Sequence, residues 1–172
     1  MPKIVDVKLK LQIPGFVGFE GTWRADDAEI KASWELYIEL VTRSPLGDIS
    51  SRDGLIREGL TSMHSLFATT RSILRTHGPG VAKIKKGDDN ISFGYFAVSM
   101  LNFVLRPMLS EWHPSLQQWE SEKNPNVSAI EHEKAWCKYA DYHDRLGEVR
   151  GYLLEYARLF AEVSGVPDLI FE

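Results

Sequence analysis

The chain has 172 residues, of which 44% are hydrophobic and 26% charged, and its formal net charge is −4. This length is enough for one domain that buries a core without disulfides or metals, and the composition excludes a disordered chain. The negative charge disfavours generic nucleic-acid binding, although it leaves room for a local basic patch. A single cysteine, Cys137, cannot form an internal disulfide, which favours a reducing cytoplasm. Because no apolar leader follows Met1 and no long uninterrupted apolar run occurs, we expect neither secretion nor a membrane span.

Residues 1–24 differ from the rest of the chain and predict an N-terminal β arm, ahead of a helical bundle domain at 25–172. Apolar and polar residues alternate from Val5 to Ile13, which is typical of a half-buried strand. A turn at Pro14-Gly15 and a returning strand from Phe16 to Arg24 would complete a hairpin, with Val17, Phe19 and Trp23 on one face. The arm is expected to pack on its own helices, and the alternatives are pairing with a second copy or with a partner sheet.

Two helices are predicted next. Asp26 or Asp27 caps the first, which ends before Pro45 and has an apolar seam of Ile30, Trp34, Tyr37 and Val41. The second starts near Ser51 or Asp53 and ends at Gly78-Pro79-Gly80. Its apolar stripe consists of Ile56, Leu60, Met63, Leu66, Phe67, Thr70, Ile73 and Leu74.

A polar connection at 81–90 is predicted to be a mobile loop, and a central, mostly buried third helix follows it at about 92–120. Pro107 lies inside this helix and predicts a bend. Ser128, with Glu131 three residues later, begins a fourth helix about 50 Å long, at 1.5 Å per residue. Its apolar stripe runs from His132 to Val163. The sequence therefore predicts a mainly α fold, a four-helix up-down bundle with a short N-terminal β arm or hairpin, and the alternative is an irregular helical array.

A polar stripe on the third helix is the main candidate site. Its members recur in steps of three and four: Ser99, Asn102, Arg106, Ser110, His113, Gln117 and Glu120. We interpret Asn102, Arg106, His113, Gln117 and Glu120 as a partner-binding surface or polar pocket, and the alternative is a solvated stripe with one ion pair. No catalytic residue, cofactor or metal site is expected, because no nucleotide-binding loop or Glu-x-x-His motif occurs.

A ribonuclease of the HEPN class is the enzymatic alternative. Those four-helix domains place an arginine and a histidine a few residues apart on one helix, where histidine moves a proton and arginine stabilises phosphate charge. Two pairs have a similar spacing, Arg106 with His113 and Arg71 with His77. The position after the arginine, which carries a characteristic polar residue in that class, is Pro107 in one pair and Ser72 in the other.

Three tryptophans and the cysteine have structural interpretations. Trp112, Trp119 and Trp136 are expected to form a buried aromatic stripe, and an exposed recognition surface is the alternative. Cys137 is expected to be a small, half-buried residue on the fourth helix. The histidines, including His132 and His143, are expected at the core edge or in solvent.

The segments TRSILRTHGPG, LNFVLRPMLSEWHPSLQQWE and EHEKAW make the chain resemble small helical-bundle proteins encoded in bacterial conflict or antiphage-type gene clusters. The resemblance spans about Trp34 to Pro167. It implies a cytoplasmic accessory, adaptor or sensor module beside an effector or NTPase, and it transfers no active site. We expect association with such a protein partner, self-association, or both. We expect no DNA or membrane partner, and RNA only under the ribonuclease alternative.

Overall fold

The computed structural model describes residues 3–43, 54–85 and 91–170. These residues are mainly helical, with a two-stranded antiparallel hairpin at the N-terminus. The elements before residue 86 are β1 (Val5–Leu11), β2 (Phe19–Ala25), α1 (Asp27–Val41), α2 (Ile56–His77) and a 3₁₀ turn (Pro79–Ala82). Those after residue 90 are α3 (Phe93–Ser99), a π-helical segment (Met100–Leu105), α4 (Arg106–Ser121), α5 (Ala129–Lys134) and α6 (Tyr139–Ser164). Among these residues, every helix is too short or too polar to cross a lipid bilayer.

The N-terminal hairpin forms as the alternation predicts. β1 pairs with β2 from Val5 opposite Ala25 to Leu11 opposite Phe19, and the inward side chains of β1 are buried. The returning strand starts three residues later than predicted. Val17 therefore lies in the connection and is 78% exposed, so its placement on the strand face is wrong. Gly15 and Gly18, at φ +87° and +72°, hold this connection in conformations that other residues rarely adopt.

The hairpin packs on the helices of its own chain. Phe16 and Trp23 each lie 5.3 Å, centroid to centroid, from the ring of Phe96 on α3. Trp23 is fully buried, and the buried face of the hairpin belongs to the same apolar core as the helices. An isolated two-stranded hairpin is marginally stable in water. Packing against the helices therefore stabilises this sheet by covering its apolar face.

Helix α1 begins with a capping box. The Asp26 side chain accepts the Glu29 amide, and the Glu29 side chain accepts the Asp26 amide. The predicted seam is wrong for Trp34, which is 40% exposed. Because α1 packs between α2 and α6, it buries a broader face, which consists of Glu29, Ala32, Ser33, Leu36, Tyr37 and Leu40.

Helix α2 has the predicted apolar stripe, and all of its predicted members from Ile56 to Ile73 are buried. It ends as expected at Gly78, whose φ of +71° stops the helix. The positions predicted to begin it, Ser51 and Asp53, lie outside the described residues, as does Pro45.

The start of the predicted 81–90 loop is packed, not free. Val81 is fully buried in the 3₁₀ turn, and a Cβ added to Gly94 on α3 would lie 2.6 Å from the Cβ of Ala82. The turn therefore closes against α3. Residues 86–90 lie outside the described residues.

The third predicted helix is the continuous stretch Phe93–Ser121, with Ser92 as its N-cap. Its turn widens before Pro107, where the Arg106 amide donates to Leu101, five residues back. Because a proline ring clashes with the carbonyl four residues back in an α-helix, the wider turn relieves that clash. The sequence located the irregularity at Pro107 but did not identify its π-helical form.

The predicted single fourth helix is wrong, because the chain breaks between α5 and α6. Ser128 and Glu131 form the predicted capping box, but Trp136 then turns into the core in a short connection at 135–138. Cys137 lies in this connection and is exposed, not half-buried on a helix. The break directs Trp136 and Glu133 inward together. From Tyr142 onward, α6 buries most of the predicted stripe.

Candidate functional site

The predicted polar stripe lies mostly at the surface. Asn102, Arg106, Ser110 and Gln117 are exposed, whereas His113 and Glu120 are partly covered, and Ser99 is buried. The Asn102 side-chain oxygen accepts from Nε and one terminal nitrogen of Arg106, at 3.2 and 3.1 Å. Arg106 therefore has a neutral hydrogen-bond partner on its own helix and is exposed to solvent.

Part of the stripe borders a groove between α2 and α4. This α2/α4 groove has a volume of about 350 Å³ and is lined by His64, Ser65, Phe67, Ala68, Arg71, Arg106, Leu109, Ser110 and His113. Arg106, Ser110 and His113 come from the predicted stripe. Asn102, Gln117 and Glu120 do not line it, so the five predicted site residues do not form one pocket.

Two arginines share the floor of the α2/α4 groove. The guanidinium carbons of Arg71 and Arg106 lie 5.6 and 5.4 Å from the centroid of the same ring, Phe67. No carboxylate lines the groove, and within the described residues neither arginine has an ion pair with an acidic side chain. His77, which the sequence paired with Arg71, instead contacts Glu35 of α1 at 2.9 Å. The structure thus brings together arginines from two different predicted pairs.

His113 is held by a charged pair beside the groove. Arg57 donates to its Nδ1 at 2.8 Å and makes a two-pronged ion pair with Glu120, at 3.0 and 2.7 Å. Because arginine can only donate, Nδ1 must be unprotonated, and the ring is neutral with its proton on Nε2. Burial lowers the pKa of His113, as do the charges of Arg57 and His64, against the opposing effects of Glu120 and of a hydrogen bond with the Leu60 backbone. The Nε2 atom is inaccessible to solvent. Neither ring nitrogen is therefore free to exchange a proton with a molecule in the groove.

An exposed apolar patch is the feature that the sequence did not reveal. The third helix was expected to be mostly buried outside its polar stripe, yet Tyr95, Val98 and Phe103 are 49%, 42% and 49% exposed. The hairpin connection extends this surface, because the ring of Phe103 lies against Gly15 and Tyr95 makes an edge contact with Phe16. Val17 follows directly. We call Val17, Tyr95, Val98 and Phe103 the apolar patch.

Glu29 is another feature that the sequence analysis did not identify. It is fully buried and accepts from Trp23 Nε1 at 3.2 Å, from the Phe93 amide at 3.0 Å and from Lys85. Burial lowers the pKa of Lys85, but the carboxylates of Glu29 and Asp26 raise it more, so its pKa lies above the usual value. Glu29 thus joins β2, α1, α3 and the segment after the 3₁₀ turn, which is a structural role. The spacing of Asp26 and Glu29 is a capping-box signal that could have indicated it.

The tryptophans and the remaining histidine contacts are structural. Trp112 packs edge-on against Trp136 and Tyr142 in the core, as predicted. Trp119 stacks on His132, with centroids 4.4 Å apart, and each side chain donates to the other's backbone carbonyl at 2.7 Å. No group of three or more potential metal ligands occurs within residues 3–43, 54–85 and 91–170.

Comparisons of the chain with protein-family models, curated proteins and solved structures found no match. The accessory role implied by the resemblance therefore stays a prediction.

Proposed function

We propose that this chain is a non-catalytic accessory protein that associates with a partner protein through the apolar patch. The observation that carries the proposal is that four large apolar side chains are exposed on the hairpin connection, α3 and the π-helical segment, with Phe103 against Gly15 and Tyr95 against Phe16. Single exposed apolar residues are ordinary on a protein surface, but a contiguous group favours a contact surface.

The sequence of the third helix supports this assignment. A helix that is apolar around most of its circumference is expected to have neighbours on several sides. The hairpin, α2 and α6 pack against this helix, yet Tyr95, Val98 and Phe103 remain 49%, 42% and 49% exposed. A partner with aliphatic and aromatic side chains would complete its burial. Tyrosine and phenylalanine are enriched at such interfaces because they bury large areas at low entropic cost.

Ribonuclease activity of the HEPN type is the second candidate. Arg71, Arg106 and His113 around one groove are the observation in its favour. The occupied Nδ1 and covered Nε2 of His113 argue against it, because a general base needs a nitrogen within reach of the substrate. Under this alternative, cleavage of RNA by the purified chain disappears in Arg106→Ala and in His113→Ala. Cleavage that survives both substitutions would remove these residues from any mechanism.

The wider setting of the proposal follows the resemblance and the sequence. It places the chain in the cytoplasm, beside an effector or NTPase of a bacterial defence system, with self-association as a further arrangement. We also propose an up-down topology for the four long helical stretches, which are α1, α2, Phe93–Ser121 and α6. Contacts of α1 with α2 and α6, and of the third stretch with the same two helices, support that path.

The test is capture of the partner by tagged chain expressed at native level, compared between wild type, Val98→Asp and Ile130→Asp. Ile130 on α5 is 50% exposed and lies outside the apolar patch, so it is the matched control. We expect a protein captured at fixed stoichiometry by wild type and Ile130→Asp, and at least tenfold less by Val98→Asp. Light scattering of the purified chain shows whether the chain associates with a second copy of itself or requires a different protein as its partner. Equal capture by the two variants would contradict the proposal.

A further inference from the structure

We infer that the α2/α4 groove is a binding site for a small organic phosphate of about nucleotide size. This site is separate from the apolar patch and does not depend on the proposed association. Its charge is the first argument. The chain has 24 acidic and 20 basic residues, yet no acidic residue is among the side chains that line the groove.

The two arginines offer donors to an anionic ligand from both walls of the groove. The guanidinium carbons of Arg71 from α2 and Arg106 from α4 lie 5.6 and 5.4 Å from the centroid of the Phe67 ring. A planar guanidinium binds phosphate oxygens through two parallel hydrogen bonds, which a lysine cannot reproduce. Asn102 holds Arg106 through both nitrogens on one edge and leaves its other terminal nitrogen to donate. Ser110 adds a hydroxyl to the same wall.

The size and the surroundings of the groove favour a small ligand over a long nucleic acid. A volume of about 350 Å³ lies in the range of small-molecule sites. Beyond the groove the net charge of −4 repels a polyanion that would have to extend across the surface. The exposed His64 ring and the guanidinium planes offer surfaces on which a flat ring can stack. These features select a ligand with one or two phosphates and a planar ring.

The site binds and does not cleave. His113 lines the groove, but Arg57 occupies its Nδ1 and its Nε2 is covered. His64 also lines the groove, but no acidic side chain in the lining orients its exposed ring. We therefore expect the ligand to be recovered unchanged.

The experiment is calorimetric titration of the full chain with adenosine 5′-monophosphate, adenosine, ribose 5-phosphate and a 20-nucleotide single-stranded RNA. Variants Arg71→Gln and Arg106→Gln are compared with Arg75→Gln, one turn further along α2 and outside the groove. We expect the monophosphate to bind, with affinity about tenfold lower in each groove variant and unchanged in Arg75→Gln. Adenosine should not bind, ribose 5-phosphate should bind more weakly, and added salt should weaken both phosphates.

Three results would overturn the inference: no binding of either phosphate at millimolar concentration, equal binding of adenosine and its monophosphate, or equal affinity in all three arginine variants. Much tighter binding of the RNA than of the monophosphate would show that the groove binds nucleic acid and not a small organic phosphate. All substituted arginines are exposed, so unchanged circular dichroism and thermal midpoints are expected to verify the fold. Failure here leaves capture through Val98 unaffected, so the two proposals fail separately.

Discussion

At the scale of single residues, the buried Glu29 has more consequence for stability than any member of the predicted site. Its carboxylate lies between Lys85, the indole of Trp23 and the amide of Phe93. A buried charge of this kind is tolerated only while its partners remain, and loss of one partner typically costs about 3–5 kcal/mol.

The first prediction concerns Glu29→Gln. The amide keeps the shape but leaves Lys85 with the carboxylate of Asp26 alone, so the free energy of unfolding should fall by about 2 kcal/mol. Urea denaturation measures this loss. The control is Glu20→Gln in the exposed pair with Lys10 at 3.9 Å, which should change stability by less than about 1 kcal/mol. Equal losses in the two variants would contradict the role given to Glu29.

The second prediction is a pH dependence due to His113. Its pKa in the folded chain lies below the ordinary value of 6.5, so the unfolded chain binds the proton more readily. The stabilising contribution is therefore complete above about pH 6.5 and is lost as the pH falls below it. Protonation of Nδ1 would also remove the hydrogen bond that Arg57 donates.

His113→Asn tests this prediction, because an asparagine oxygen can accept from Arg57 and does not titrate. The urea midpoint of wild type should drop between pH 7.5 and pH 5.5 by more than that of the variant. His64, Arg57 and Glu120 face His113 and are the same in both proteins. An identical drop in both would show that His113 is not the titrating group.

At the scale of elements, the start of α2 is held by a residue from α5. The Glu133 carboxylate accepts the Ile56 amide at 2.6 and 3.1 Å, across 77 positions of sequence. Burial raises the pKa of Glu133, against the opposing hydrogen bond from Ile56. The N-cap residue of α2, Leu55, makes no capping hydrogen bond through its own side chain. Glu133 thus acts as a cap contributed by a distant helix.

The third prediction follows from this contact. Glu133→Ala should lower the free energy of unfolding by about 1–2 kcal/mol, as loss of a helix cap does. It should also speed hydrogen exchange in the first turn of α2 and leave the last turn unchanged. Glu122→Ala, an exposed acid at the end of α4, is the control. Uniform loss of protection along α2 would contradict a local capping role.

Local pattern was enough to predict most elements, and distant contacts account for the failures. The period-two alternation identified β1, and the α2 stripe and the Ser128 capping box were correct. The break at 135–138 was missed, because an apolar stripe continues through it and only burial of Trp136 and Glu133 reveals it. The α1 seam was wrong at Trp34, since local spacing does not specify which neighbours a helix contacts.

At the scale of the whole molecule, the hairpin and the helices share one core. Ile13 and Trp23 are fully buried in the cluster that also contains Phe93 and Phe160 of the helices. Deletion of residues 1–24 would therefore expose a large apolar area on α3 and α6.

The fourth prediction is that a chain lacking residues 1–24 does not fold cooperatively. Loss of Trp23 alone would cost about 3–5 kcal/mol, which is a large fraction of the stability of a domain of this size. Thermal unfolding followed by near-ultraviolet circular dichroism should show no sharp transition. The exposed substitution Val17→Ser should unfold like wild type. A cooperative transition in the shortened chain would mean that the helices form a core by themselves.

The candidate site was only partly predictable for the same physical reason. Arg106 and His113 were identified from spacing along one helix. Their grouping with Arg71 and His64 depends on how α2 packs against α4, and the apolar patch depends on which side of α3 remains uncovered. Both are properties of the assembled molecule.

Hydrogen exchange of the chain, free and bound to its captured partner, is the decisive test of association through the apolar patch. We expect added protection confined to the hairpin connection around residues 15–19 and to residues 95–105, with α5 and the first half of α6 unchanged. Protection on α5 and α6, with 95–105 exchanging as in the free chain, would contradict association through the apolar patch.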